Sequence, residues 1–238
     1  MPGFLTSFPF VAAICVLAIV VGALVIAKAN KIILRSRIAR QRNKGKAYAF
    51  DMINLRSKRA NLYSDLRLME DNPGEEAPCF VRVSSGGILL IAIVSDKGFF
   101  REPKAGEWKY TYENIMHEDV TISYENPFDK MIPYANAIDR FLTANEVENK
   151  AVSAVVYFTS DEAGFEYDYP EILTNKTLGA YLADFDSGDE LMGDERRFVC
   201  RALEDLDSHL REGIVEEVID EPIKPKIYKL KARKQITK

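Results

Sequence analysis

The chain begins with a long apolar run that is followed directly by a basic one. Residues 8–27 are twenty consecutive residues without a charge, and residues 28–46 carry eight Lys or Arg and no acid. At about 1.5 Å per residue, a helix of that length spans roughly 30 Å, the thickness of a bilayer's hydrocarbon core. The pattern predicts a single transmembrane anchor over residues 1–30 and a basic juxtamembrane segment over residues 31–46.

The basic residues lie only on the C-terminal side of the apolar run. By the positive-inside rule, this asymmetry predicts a single-pass protein of the cell membrane, with its N-terminus outside and residues 28–238 in the cytoplasm. Each Lys or Arg near anionic lipid can add about 1 kcal/mol of attraction. The side chains predicted to face lipid headgroups are Lys28, Lys31, Arg35, Arg37, Arg40 and Arg42.

A cleaved signal peptide is the competing interpretation, because Ala27-Lys28-Ala29 resembles a small-residue cleavage site. Three features argue against it. No basic residue precedes Phe8, the apolar run is longer than the usual 7 to 15 residues, and a cationic segment follows it at once. We therefore favour an uncleaved anchor.

After the anchor, hydrophobic periodicity alternates between helix and strand. Residues 45–60 have a helical pattern, and Leu62, Ser64, Leu66 and Leu68 alternate as in a strand. Two apolar runs then flank a Ser-Ser-Gly-Gly turn. They are residues 80–83 and 88–94, and they predict a buried hairpin at the centre of a domain.

The second half predicts a crossover. Residues 108–112 and 120–124 read as shorter strands near an edge, and Asn126-Pro127 opens a helix that Pro133 should kink or restart. Residues 151–158 are a second apolar strand, which the crossover should place beside the hairpin. Helices are predicted at 171–185 and at 194–210, the second ending before Gly213. The fold class is therefore α/β (α+β), a mixed sheet flanked by helices over residues 47–213, with a basic tail at 214–238.

Charge and composition argue against some classes of partner and cofactor. Residues 47–238 hold 24 basic residues and all 36 acidic ones, a formal charge of −12, which argues against nucleic acid as a partner. The acidic groups Asp184-Asp186-Asp189 and Glu216-Glu217 are predicted to be solvated. Three Cys and two His at these spacings form no zinc motif, so we predict no metal and no cofactor.

In their order, the segments of the domain resemble the nuclease-related (NERD) domain, a relative of the PD-(D/E)xK restriction-endonuclease fold. The resemblance covers about half the chain, from Gly45 to Phe158. It rests on a first strand, a hairpin whose second strand begins Gly-Ile, a following Trp, an Asn-Pro helix start and a late apolar strand. These are residues 63–68, 83–91, 106–108, 126–127 and 155–158.

The resemblance implies where catalytic residues would lie. A nuclease of this class needs an Asp on one hairpin strand and Glu-x-Lys on the next, so that carboxylates hold Mg²⁺ while Lys steadies the attacking water or the phosphate. Cys79, Ala92 and Val94 occupy those positions. The first helix, which usually adds a Glu, here begins with Lys46. Cys, Ala and Val cannot hold a hard cation, so we predict that the chain is not an enzyme.

Two functional hypotheses follow. The favoured one is a membrane-anchored NERD-like module without its metal site, acting as an interaction or scaffold protein at the cytoplasmic face. It would bind through the sheet edge at residues 108–124 and through the basic tails. Its protein partner is not named by the sequence. The alternative is a membrane-tethered nucleic-acid-binding protein, or a nuclease whose catalytic residues have migrated to Asp96, Glu107 and Lys109, which form a literal Asp and Glu-x-Lys.

Overall fold

A computed structural model describes most of the region that follows the predicted anchor. The described residues are 21, 40, 42–56, 60–101, 107–114, 116–145, 147, 152–166, 169–191 and 193–216. The chain divides into two compact units, residues 1–44 and residues 45–238. All strands described lie in the second unit.

Helices and strands alternate through this second unit. Residues 42–56 are helical and form α1, most of which belongs to the unit. The remaining elements are, in chain order, β1 (Asn61–Tyr63), β2 (Cys79–Ser84), β3 (Gly87–Val94), β4 (Gly98–Arg101), β5 (Trp108–Glu113), β6 (Asp119–Tyr124), α2 (Pro127–Ala144), β7 (Val152–Phe158), β8 (Ala163–Phe165), β9 (Ile172–Leu173), α3 (Leu178–Asp186) and α4 (Asp194–Glu216).

The first sheet has the order β1-β2-β3-β7-β9. β2 pairs antiparallel with both β1 and β3, whereas β3, β7 and β9 are mutually parallel. The hairpin between β2 and β3 turns at Ser85-Gly86, and Gly87 has a φ of 113°, which a residue with a side chain rarely adopts. The predicted central hairpin is confirmed.

The predicted crossover is also confirmed, since β7 lies beside β3 with Ile88 opposite Val152.

Helix α2 starts as its sequence indicates. The Asn126 side chain accepts a hydrogen bond from the Phe128 amide, and Pro127 fills the first turn, where no amide donor is needed. Of the two outcomes predicted for Pro133, a kink or a restart, the restart is wrong, because α2 runs through it to Ala144. The kink stays a prediction.

Each face of the first sheet carries a hydrophobic core. One core includes Cys79, Leu90 and Ala92 and continues into side chains of α2, α4 and the second sheet. The opposite core includes Phe80, Leu89 and Ile91 and is covered by α1 and α3. Because successive side chains of a strand point to opposite faces, a sheet buried on both sides needs continuous apolar strands, as β3 has.

A second sheet, of order β6-β5-β4-β8, was not predicted. β6 and β5 are the two lesser strands expected near an edge, and β6 is the outermost strand of the sheet. β4 and β8, which pair in parallel, are four and three residues long and gave no clear periodic signal. The Phe100 ring joins this sheet to the first by stacking on Tyr110 at 4.7 Å and meeting Phe158 edge-on at 4.9 Å.

Three element predictions are corrected. The strand expected over Leu62 to Leu68 ends at Tyr63, although Leu66 and Leu68 are buried. The helix expected over 171–185 is a short strand, β9, followed by a loop and α3, because Leu173 pairs with Tyr157 of β7. The last helix does not stop before Gly213 but extends to Glu216.

The described residues therefore form a mixed α/β structure with four helices and two mixed sheets. Within them, no helix combines the length and apolarity needed to cross a membrane. The predicted anchor at residues 8–27 lies outside the described residues except for Val21, as does the tail beyond Glu216.

Candidate functional site

The three positions where the resemblance expects catalytic residues lie together in the structure. Cys79 on β2 is directly opposite Ala92 on β3, and Val94 is two residues further along β3 on the same face. All three belong to the larger hydrophobic core and are at most 6% exposed. The three positions share one face of the hairpin, and that face is apolar.

The chemistry of Cys79 matches its burial. Burial raises the pKa of the Cys79 thiol to about 12, although the nearby Lys46 ammonium acts in the opposite direction. At neutral pH the thiol is therefore protonated, and a thiol in that form is neither a nucleophile nor a metal ligand. Cys79 serves here as a small apolar side chain.

A lysine of α1 lies over the residue that follows Cys79 on β2. The Lys46 ammonium forms an ion pair with Asp65 and lies 5.8 Å from the centre of the Phe80 ring. Phe80 points to the opposite face of the strand from Cys79 and belongs to the other hydrophobic core. The contacts of Lys46 are therefore with Asp65 and with the Phe80 side of the sheet.

Asp65 is held in an unusual backbone conformation. Its φ is 59°, in the left-handed region, and its carbonyl accepts a hydrogen bond of 2.8 Å from Arg211 on α4. Burial alone would raise the pKa of the Asp65 carboxyl, but the hydrogen bond and charge of Lys46 hold it below its ordinary value. The Asp65 carboxylate is therefore ion-paired with Lys46.

The carboxylates of the alternative site have different hydrogen-bond partners. Asp96 accepts a hydrogen bond of 2.9 Å from the Tyr124 hydroxyl, whereas Glu107 accepts one from the Ser123 hydroxyl. Ser123 and Tyr124 are successive residues of β6, so their side chains leave the strand on opposite faces. Lys109 is exposed on β5, on the face of Ser123. Within the described ranges, no group of three or more His, Cys, Asp or Glu residues could hold a metal ion.

Of the basic residues predicted to face lipid, only Arg40 and Arg42 belong to the described part of the chain. Both are helical and exposed. The other four, Lys28, Lys31, Arg35 and Arg37, lie outside the described residues.

Sequence reasoning missed a buried ion pair behind the hairpin turn. Arg82, fully buried on β2, donates from Nη2 to both carboxylate oxygens of Asp186, at 2.6 and 2.5 Å. The prediction that Asp186 is solvated is therefore wrong. Ser85 of the turn donates to the Asp186 carbonyl at 2.6 Å, so the end of α3 is fixed to the hairpin. The sequence feature that could have indicated this ion pair is Arg82, a charged residue within an apolar strand.

A second missed feature lies at the C-terminal ends of β3 and β7. Asn175 accepts a hydrogen bond from the Tyr157 hydroxyl and donates to the Thr159 carbonyl at 3.3 Å and to Asp161 at 2.9 Å. Apart from Tyr157 of β7, its residues come from loops, where no periodic pattern marks them. The Asn175 amide is occupied by these protein groups, so the arrangement orders the strand ends.

Comparisons with protein-family models, curated proteins and solved structures find no match to the chain.

Proposed function

We propose that the protein is a membrane-anchored module of NERD-like fold that has lost the nuclease metal site and works by binding other proteins at the cytoplasmic face. The proposed loss of catalysis rests on one observation. Cys79 and Ala92, at the positions of the metal-binding carboxylates, face each other inside the hydrophobic core. Without carboxylates there, Mg²⁺ has no ligands and the attacking water has no activator.

The order of elements supports the family part of the proposal. A helix, an antiparallel hairpin, an Asn-Pro helix and a strand parallel to the hairpin follow one another as the resemblance expects. This order is fold-level support only, and function is argued from the site.

The state of the site also bears on how easily catalysis could be regained. A carboxylate at position 79 or 92 would be buried among apolar side chains such as Leu90, and an ionised group in such surroundings is strongly disfavoured unless paired. The Lys46 ammonium is already engaged with Asp65. These contacts favour an interaction role over a dormant nuclease.

A nuclease assay tests the catalytic part. Purified full-length protein should cleave neither DNA nor RNA with Mg²⁺ or Mn²⁺. Cleavage by itself can come from a contaminant, so the matched variants are Asp96→Ala and Glu107→Ala. Metal-dependent cleavage that either substitution abolishes would overturn the proposal and establish a migrated active site.

A fractionation experiment tests the anchor. The protein should remain in the membrane fraction after a carbonate wash, because a charge-free run of twenty residues is long enough to span the bilayer. Protease added outside intact cells should leave residues 28–238 uncut. Digestion of that region in intact cells would reverse the topology and remove the cytoplasmic role.

A further inference from the structure

The outer strand of the second sheet has an open edge. β6 pairs with β5 over all six of its residues, from Trp108 opposite Tyr124 to Glu113 opposite Asp119, and no described strand pairs with its other side. Edge strands are commonly protected by Lys, Pro or a bulge. β6, with the sequence Asp-Val-Thr-Ile-Ser-Tyr, has neither residue, and its register with β5 is uninterrupted.

The two faces of this edge differ. Val120, Ile122 and Tyr124 point to the face that carries Trp108, whereas Asp119, Thr121 and Ser123 point to the other face. Tyr124 packs near the Phe100 ring at 5.3 Å, but Ile122 is 43% exposed. The strand therefore offers a backbone edge that no described strand pairs with, together with the partly exposed side chain of Ile122.

We propose that β6 binds the β6 strand of a second copy, antiparallel and centred on Thr121, so that two copies share one continuous sheet. The inference rests on the proposed function, for which it names the partner. In this register Ile122 lies opposite Val120 of the other copy, and Asp119 lies opposite Ser123. Apolar side chains then meet on one face and polar ones on the other, as cross-strand pairing favours.

The neighbouring two-fold registers fit less well. Directly opposite residues must share a face, so the centre can move only from one residue to the next. A centre at Ile122 would set Asp119 against Glu125, two carboxylates. A centre at Val120 would set Ile122 against Glu118. The register centred on Thr121 sets no two carboxylates opposite each other and pairs Ile122 with an apolar residue; its remaining contact sets Tyr124 opposite Glu118, which lies outside β6.

Charge complementarity further supports the pairing. Lys109 lies beside Ser123 in the sheet, and Asp119 of the second copy would lie on the other side of that Ser123. With strands about 4.8 Å apart, the long Lys109 side chain can reach across one strand to this carboxylate. The two-fold axis creates the contact twice. Both side chains are exposed in the single copy.

A short edge of this kind predicts a weak dimer with a micromolar dissociation constant, the low end of specific interfaces. The test uses the full chain in detergent, with the dissociation constant measured by sedimentation equilibrium. Ile122→Lys should raise it at least about tenfold, because a charge on an edge blocks pairing. Ile132→Lys is the matched control, since Ile132 is an exposed isoleucine on α2 and lies outside the edge. It should leave the dimer unchanged.

Charge reversal tests the register. Lys109→Glu and Asp119→Lys should each weaken the dimer by roughly fivefold, and the double reversal should restore it to within about twofold, because cross-strand charge pairs contribute a few tenths of a kcal/mol each. Thr121→Cys, in a chain with Cys15→Ser, should form an interchain disulfide on mild oxidation. The same cysteine at Thr111, one strand inward on the same face, should not.

A chain that stays monomeric at roughly 200 µM, or a dimer that Ile122→Lys does not weaken, would overturn the inference. Failure of the double reversal to restore affinity would overturn the register. Neither result bears on the proposed loss of the metal site, which the nuclease assay tests on the same preparations. Metal-dependent cleavage by both the wild-type chain and Ile122→Lys would instead overturn the proposed function.

Discussion

The two sheets differ in how their faces are buried. The first sheet is covered on both faces, and its central strand β3 is apolar from Ile88 to Val94. Among the described residues, β5 of the second sheet alternates buried or half-buried aromatics with exposed Lys109 and Glu113, the pattern of a strand covered on one face. The positions that a nuclease would use for catalysis belong to the first sheet, and the open edge belongs to the second.

The difference separates the part of the molecule that stabilises the fold from the part that another molecule can reach. Cys79 and Ala92 of the first sheet are buried and place no exposed polar group at those positions. A surface that another molecule can reach is found on the second sheet, at β6. Substitutions should therefore affect folding in the first sheet and association in the second.

The largest expected effect is the unfolding of Ile91→Asp. Ile91 is fully buried in the core beneath α1 and α3, and an unpaired buried charge is among the most destabilising single changes, about 4 kcal/mol or more. The matched change Ile122→Asp on the second sheet should cost about 1 kcal/mol or less. Urea unfolding of both variants measures the contrast, and equal losses would remove the distinction between the sheets.

The next effect concerns the buried ion pair of the first sheet. Asp186→Ala leaves the fully buried Arg82 without its carboxylate and should cost about 3 kcal/mol. Arg82→Met combined with Asp186→Ala should be less destabilising than Asp186→Ala alone, because no buried charge is then left. A double variant that is the less stable of the two in urea unfolding would show that the charge itself is not the cost.

The success of the sequence analysis depended on the length of each element and not on the sheet to which it belongs. β2, β3, α2 and β7 were predicted because their apolar runs are long and their turn and capping residues are specific. β4, β8 and β9 were missed because strands of two to four residues carry too little pattern, and their pairing depends on distant partners. For the same reason β9 was interpreted as the start of a helix.

A smaller effect is expected at the hairpin turn. A Cβ atom on Gly86 would lie 1.6 Å from the carbonyl oxygen of Phe185, so Gly86→Ala should force the turn away from α3 and cost about 2 kcal/mol. Gly74→Ala is the matched control, because a Cβ there meets nothing within 4 Å. Thermal unfolding compares them. A Gly86→Ala protein as stable as the control would mean that the turn is not fixed to α3.

The smallest effect depends on pH. The pKa of Asp65 is lowered in the folded chain, so its pair with Lys46 stabilises the fold above the ordinary carboxyl pKa of about 3.9 and is lost as pH falls through the lower, folded value. Because both side chains are more than a third exposed, the contribution should be about 0.5 kcal/mol or less. Lys46→Met should show this loss at pH 7 and none in strong acid. Lys176→Met, at an exposed loop lysine, should show no such pH dependence.

The candidate site was only partly readable from the sequence. The positions Cys79, Ala92 and Val94 could be identified, and their shared face follows from strand alternation. The ion pair of Lys46 with Asp65 could not, because it joins α1 to a residue whose positive φ is set by contacts with α4. Long-range contacts of this kind have no periodic signature.

The most direct test of the proposed function is a melting scan of the purified full chain with and without Mg²⁺ or Mn²⁺. A bound ion stabilises a fold by about 2.7 kcal/mol at a hundredfold excess over its dissociation constant, enough to shift Tm by several degrees. We expect no shift with either metal, because Cys79, Ala92 and Val94 supply no oxygen ligand. A metal-dependent rise in Tm that Asp96→Ala or Glu107→Ala abolishes would contradict the account.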